Sequence, residues 1–162
     1  MRTTTLLFGL ILFFLTACEK DTTEVAQDVG VLPQGCGSDG ARLQAIVDGS
    51  SYCASAQVLA VGDGFSVTVT GVDLTGNTII LQVDSIGMGT QQITEAKNGI
   101  LLIQNGTTYV VLPGNSGTLH ITEADTAAHV FKASFDVTLQ NDVSGQSRAV
   151  QGSLDVVYTE EQ

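Results

Sequence analysis

Phe131-Lys132-Ala133-Ser134-Phe135-Asp136-Val137-Thr138-Leu139-Gln140 alternates apolar and polar side chains without a break. Successive side chains of a strand point to opposite faces, so this stretch offers one face to a core and one to water. A helix would scatter the same residues around its circumference. The next run repeats the pattern, with Val150, Gly152, Leu154, Val156 and Tyr158 sharing a face. Together the two runs mark the chain as all-β.

The texture holds on moving outward. Residues 65–70 alternate with Phe65, Val67 and Val69 on the apolar face, and 43–47 and 118–122 are shorter strand-like runs. Residues 78–83 and 100–103 are more densely apolar, which predicts strands buried on both faces. Asn105-Gly106 lies between two such runs, and both residue types accept the positive φ that a two-residue hairpin turn requires. Its overlap with a glycosylation sequon, Asn105-Gly106-Thr107, is secondary to that turn. Only 95–98 and 123–128 leave room for a turn of helix. Roughly eight to ten short strands, separated by turn signals every 8–12 residues or so, predict an antiparallel β-sandwich or barrel-like sandwich over residues 38–162.

The N-terminus has a different character. Arg2 precedes an apolar run from Leu6 to Leu15. Ten residues fall short of the ~20 that a membrane-spanning helix needs. A short basic start followed by such a run matches the apolar region of a secretory leader. Leu15-Thr16-Ala17-Cys18 resembles the lipobox of bacterial lipoprotein precursors, in which the leader is cut before a cysteine that carries diacylglycerol. The resemblance implies a leader over 1–17, with Cys18 as a lipidated N-terminus holding the protein to a membrane. Two or three acyl chains are needed for stable anchoring, because each buried methylene contributes only ~0.8 kcal/mol. The alternative is an ordinary leader with a chance cysteine near its end.

Residues 18–37 follow as an acidic, flexible tether. Glu19, Lys20, Asp21, Glu24 and Asp28 come first, then Gly30, Pro33, Gly35 and Gly37, without apolar periodicity. The Glu19-Lys20-Asp21 start resembles the acidic residues that follow the lipidated cysteine in some surface-displayed lipoproteins.

Charge narrows the function classes. The full chain has 17 acids and 6 cations, a formal net charge of −11. Loss of Arg2 with the leader leaves Lys20, Arg42, Lys97, Lys132 and Arg148 against the same acids, or −12. The five cations are scattered, with no stripe to neutralise phosphates, which argues against nucleic acid as a partner. The same acidity repels anionic lipid. With Cys18 acylated, Cys36 and Cys53 form an even pair in an oxidising compartment, and a disulfide is expected between them. The alternative is two separate buried thiols.

Candidates for chemistry are few. Gly35-Cys36-Gly37-Ser38-Asp39-Gly40 spells a dinucleotide-type glycine pattern, but a polar linker precedes it and a strand-like run follows, where that motif requires a strand and then a helix. No cofactor is expected. His120 and His129 are the only histidines. Alternation puts His120 on a polar face and His129 at the start of the core face. Neither has metal-ligand spacing to other donors, and no G-x-S-x-G elbow is present. Asp73, Asp84, Asp136, Asp142 and Asp155 fall in turns or on polar faces. Aromatics for sugar stacking are scarce: there is no Trp, and only Tyr52 and Tyr109 are expected at the surface.

Residues 41–158 resemble an uncharacterised family of single-domain, β-rich bacterial lipoproteins. The likeness rests on Ala45-Ile46-Val47-Asp48-Gly49, on runs 65–71 and 77–83, and on Ser116-Gly117-Thr118-Leu119-His120-Ile121-Thr122. Run 129–139 and the closing Gln151-Gly152-Ser153-Leu154-Asp155-Val156 complete it. The chain departs at Ser50-Ser51-Tyr52, which lacks an expected Trp. The family has no assigned activity, so the resemblance implies no catalytic residue. The functional expectation is a lipid-anchored cell-envelope protein, on the outer membrane at its periplasmic or surface face. Its non-catalytic β-domain would meet a protein or glycan partner. The competing expectation is a small envelope hydrolase or carbohydrate-acting enzyme using an Asp/Glu pair or His129.

Overall fold

The computed structural model describes residues 36–38 and 41–160. The leader over 1–17, Cys18 and nearly all of the 18–37 tether lie outside the described residues.

Two eleven-residue strands form the spine. Strand β11 (Val130–Gln140) and β12 (Ser147–Val157) pair antiparallel along their whole length. Their register sets Phe131 against Val156, Ala133 against Leu154, Phe135 against Gly152 and Val137 against Val150. Residues directly opposite in an antiparallel pair share a face, so the two apolar alternations merge into one sheet surface. Gly152 is required there. A Cβ on it would collide with the Phe135 ring and lie 2.6 Å from the Gln44 carbonyl oxygen.

Beyond β12 come β2 (Ala41–Val47), then β3 (Ser50–Cys53) and the two-residue β1 (Gly37–Ser38), both on β2's far side. Beyond β11 come β10 (Gly117–Asp125) and β7 (Gly89–Ile93). A second antiparallel run contains β4 (Gln57–Gly62), β5 (Val67–Val72), β6 (Thr78–Val83), β8 (Ile100–Gln104) and β9 (Thr107–Val110), in that spatial order. The two runs join through the Gln140–Val110 pair, and again where β13 (Thr159–Glu160) leaves the end of β12 to pair in parallel with β4. The class is all-β and the sheet mostly antiparallel, with thirteen strands among the described residues against the eight to ten expected. The excess is in pieces of two to five residues, β1, β3, β7 and β13, too short for periodicity to register.

Both runs contribute to one core, which includes Leu43, Phe131, Leu139 and Val156 from the first and Val69, Ile79, Leu81 and Leu102 from the second. Tyr52 of β3 crosses between them and donates its hydroxyl to the Gly71 carbonyl of β5 at 2.5 Å. Arg148 makes a further crossing. It pairs with Asp48 at 3.3 Å, donates to Gln104 at 3.2 Å and stands 4.8 Å over the Tyr109 ring. The Asn105-Gly106 turn has φ of 52° and 76°, the two positive values of a type I′ hairpin, and it joins β8 to β9.

Several local expectations differ from the structure. Phe65 is 80% exposed, because the Asp63 carboxylate accepts the Phe65 and Ser66 amides and ties the chain into a turn that ends before β5 begins. Tyr52 and Tyr109 are buried, not at the surface. Residues 78–83 and 100–103 bury one face only, since Ile80, Leu101 and Ile103 remain partly exposed. Neither helical turn forms. Glu95 and Ala96 cap a tight turn closed by the Thr94–Lys97 bridge, and β10 runs through a bulge at Ile121/Glu123 as far as Asp125.

Candidate functional site

One cluster of described titratable groups lies where β10, β11 and the end of β12 meet. The turn after β10 is held by Asp125, whose carboxylate accepts the Ala127 and Ala128 amides at 2.8 and 2.9 Å. Closing that turn forces His129 to a φ of 55°, a conformation that costs a non-glycine residue free energy. The reward is a fixed position. The His129 carbonyl accepts the Tyr158 amide at 2.9 Å, extending the β11–β12 pairing by one step. The imidazole stacks on the Tyr158 ring, with centroids 5.1 Å apart and planes inclined by 18°. Its Nε2 lies 3.5 Å from the Glu160 carboxylate, while about a third of the side chain faces solvent, at 34%.

Tyr158 has the unusual environment. It is 2% exposed, and its hydroxyl has no hydrogen-bond partner among the described residues. Burial raises its pKa, and the negative charges of Glu160, Asp125 and Asp63 add to the rise by disfavouring a phenolate. The phenol therefore stays neutral through the physiological range. An imidazole beside a carboxylate can take up and release a proton. Among the described residues no serine, threonine or cysteine is seen to hydrogen-bond to the His129 ring.

The other sequence candidates are dispersed. His120 is exposed on β10, and its Nδ1 lies 3.0 Å from the Thr90 hydroxyl of β7. Asp73 accepts from the amide and side chain of both Thr75 and Asn77, at 2.8 to 2.9 Å. Burial opposes its ionisation, but those hydrogen bonds outweigh it and lower the pKa. Asp84 and Asn98 exchange backbone–side-chain bonds at 3.1 and 2.9 Å. Asn98 is fully buried and also donates to Gln91 and the Gln92 carbonyl, which ties the ends of β6 and β7 together. Asp136 accepts from Gln151, and Asp155 stands 3.6 Å from Lys132. Asp142 is exposed in the turn between β11 and β12. These carboxylates serve turns and cross-strand pairs. Among the described residues no three His, Cys, Asp or Glu side chains are grouped to hold a metal ion.

Cys36 and Cys53 are joined by a disulfide, with Cα atoms 5.0 Å apart across a separation of 17 residues. It pins the segment before β2 to the end of β3. The run after Cys36 is a short strand and then β2, without the helix N-terminus that a bound pyrophosphate would need. Cys18 lies outside the described residues.

Tyr158 and Glu160 are what sequence reading missed around His129. The first was legible as a core residue; its stacking partner, 29 positions earlier, was not. No protein-family model matches the chain, and no curated protein matches it.

Proposed function

We propose that this chain is an exported lipoprotein, anchored through acylated Cys18, whose β body is a non-catalytic display or binding module in the cell envelope. The carrying observation is Leu15-Thr16-Ala17-Cys18 placed directly after a ten-residue apolar run. The Cys36–Cys53 disulfide suits the oxidising compartment outside the cytoplasm. The carboxylates engaged in turns and cross-strand pairs support the non-catalytic part. An acidic surface without a basic stripe suits a protein or glycan partner better than nucleic acid.

The test is metabolic labelling with a radiolabelled fatty acid, together with globomycin, which blocks the peptidase of this pathway. The chain is expected to take up label, to lose it in Cys18→Ser and to accumulate as precursor under the drug. Unlabelled mature protein would overturn the anchor.

A second reading rests on one contact, the His129–Glu160 approach at 3.5 Å over a buried phenol. In that reading the dyad acts as the acid–base pair of a small envelope hydrolase. Ester or glycoside turnover that disappears in both His129→Ala and Glu160→Gln would establish it; turnover surviving both would remove it.

A further inference from the structure

The two runs of strands differ in what they present outward. On the first, opposed residues form polar rows. Arg42, Asp155, Lys132 and Glu123 lie side by side across β2, β12, β11 and β10 with alternating sign, and the Lys132 ammonium reaches Glu123 at 2.9 Å. One row along, Gln44 donates to Ser153 and His120 meets Thr90. On the second run, β4, β5, β6, β8 and β9 contain no charged residue at all. Their registers align Leu59, Thr70, Ile80, Leu101 and Val110 in one continuous outward row. Leu59 is 50% exposed and the other four are partly exposed. An antiparallel sheet facing water ordinarily alternates to polar side chains on its wet face. Here the wet face is apolar and threonine-rich, in a chain carrying 17 acids.

We infer that this charge-free face is a self-association surface, taken by the same face of a second copy of the chain. Electrostatics select that occupant. Two acidic bodies repel unless they meet where neither presents charge. A face-to-face pair keeps the charged rows of the first run away from the contact, beyond the ~8 Å screening length at physiological salt, and Asp63, Asp73 and Asp84 lie in the turns at the strand ends, off the row. The row is also compatible with a two-fold axis through Ile80. Rotation about it sets Leu59 against Val110 and Thr70 against Leu101, as an isologous contact requires. Five strands at ~4.8 Å spacing and six residues at ~3.4 Å rise give roughly 500 Å² per copy, or about 1,000 Å² for the pair, the lower bound for a specific interface. The contact is therefore a small, reversible one. Bilayer insertion fits the face less well, since the row's hydroxyl group would lose its water without gaining a partner and the body's acidity opposes anionic headgroups. The inference does not depend on the anchor at Cys18.

The experiment places a benzophenone photo-crosslinking residue at position 101 of the full chain, produced in cells with tagged and untagged copies. Illumination is expected to give an adduct of twice the chain mass containing both forms. Ile80→Asp, in the middle of the row, is expected to lower its yield more than tenfold, while Ser134→Asp on the opposite face leaves it unchanged. Thr70→Glu, at a position already polar, provides a second disrupting variant that keeps the test open if Ile80→Asp fails to fold. Monomer alone, adducts only with phospholipid or another protein, or equal dimer yield from a probe at position 134 would overturn the inference.

Discussion

Tyr52 and Tyr158 are both buried phenols, and replacing each by phenylalanine is expected to move stability in opposite directions. Tyr158 is 2% exposed with its hydroxyl unpartnered. A buried hydroxyl without a hydrogen bond costs about 1–3 kcal/mol by mutational measures. Tyr158→Phe deletes that cost and keeps the ring against His129, so unfolding is expected to become about 1 kcal/mol harder. For a domain of this size that is roughly 3–6 °C in melting temperature. Tyr52 instead donates to the Gly71 carbonyl across the core. Tyr52→Phe removes that buried hydrogen bond and is expected to cost about 1 kcal/mol. Urea unfolding with a common m-value is the assay, because a changed midpoint at constant slope isolates stability from compactness. A lower midpoint for Tyr158→Phe would mean that its hydroxyl is bonded in the folded chain, and the reasoning would fail. The pH dependence gives an independent check. Burial is the main cause of the raised pKa of both phenols. An unfolded tyrosine ionises near pH 10 while the folded one resists, so the unfolded chain gives up its proton first. The stabilisation is complete below about pH 10 and is lost as pH climbs above it. Each Tyr→Phe variant is expected to flatten that alkaline fall.

Gly152→Ala is expected to destabilise by about 2–3 kcal/mol, the upper range for overpacking, because its methyl would meet the Phe135 ring and the Gln44 carbonyl between two paired strands; a denaturation midpoint within error of the parent would refute the close approach. Replacing Cys36 and Cys53 together by serine is expected to cost up to about 3 kcal/mol, the chain-entropy value for a loop of this length, read as a lower melting temperature that reductant no longer changes. Asp73→Ala is expected to cost about 1 kcal/mol at neutral pH, a figure already discounted for solvent screening of a partly exposed carboxylate. Hydrogen bonds lower the Asp73 pKa in the folded chain, so its contribution is present above the unfolded value near pH 4 and fades as pH falls through the folded one. The variant is expected to lose part of the acid slope below about pH 4, and an unchanged slope would count against the turn network.

The class of the fold was legible from residues alone because a strand's period of two is a local property. Phe131, Ala133, Phe135, Val137 and Leu139 alternate whatever they pair with, and all five are buried. The Asn105-Gly106 hairpin was legible for the same reason, since positive φ is a matter of residue type. What depends on distant neighbours was not. Phe65 continues an apolar alternation, yet the Asp63 turn takes it out of the sheet. Tyr52, on the first run, and Tyr109, on the second, are amphipathic side chains whose burial was decided by the two runs contributing to one core. The His129–Tyr158–Glu160 cluster joins residues that precede β11 and follow β12, brought to the same end of the antiparallel pair from about 30 positions apart, and no spacing rule links them.

By itself the sequence determined the all-β class, the apolar face of each long strand, the acidity and the lipobox-like tetrapeptide at 15–18. Tertiary structure alone decided which strands became neighbours. That pairing set a charged row across β2, β12, β11 and β10, left β4, β5, β6, β8 and β9 without a charged residue, and put a buried phenol under a histidine. The physical reason is that periodicity and turn preference are encoded within a few residues. A face acquires its character only when separate strands are laid in register, as Leu59, Thr70, Ile80, Leu101 and Val110 are.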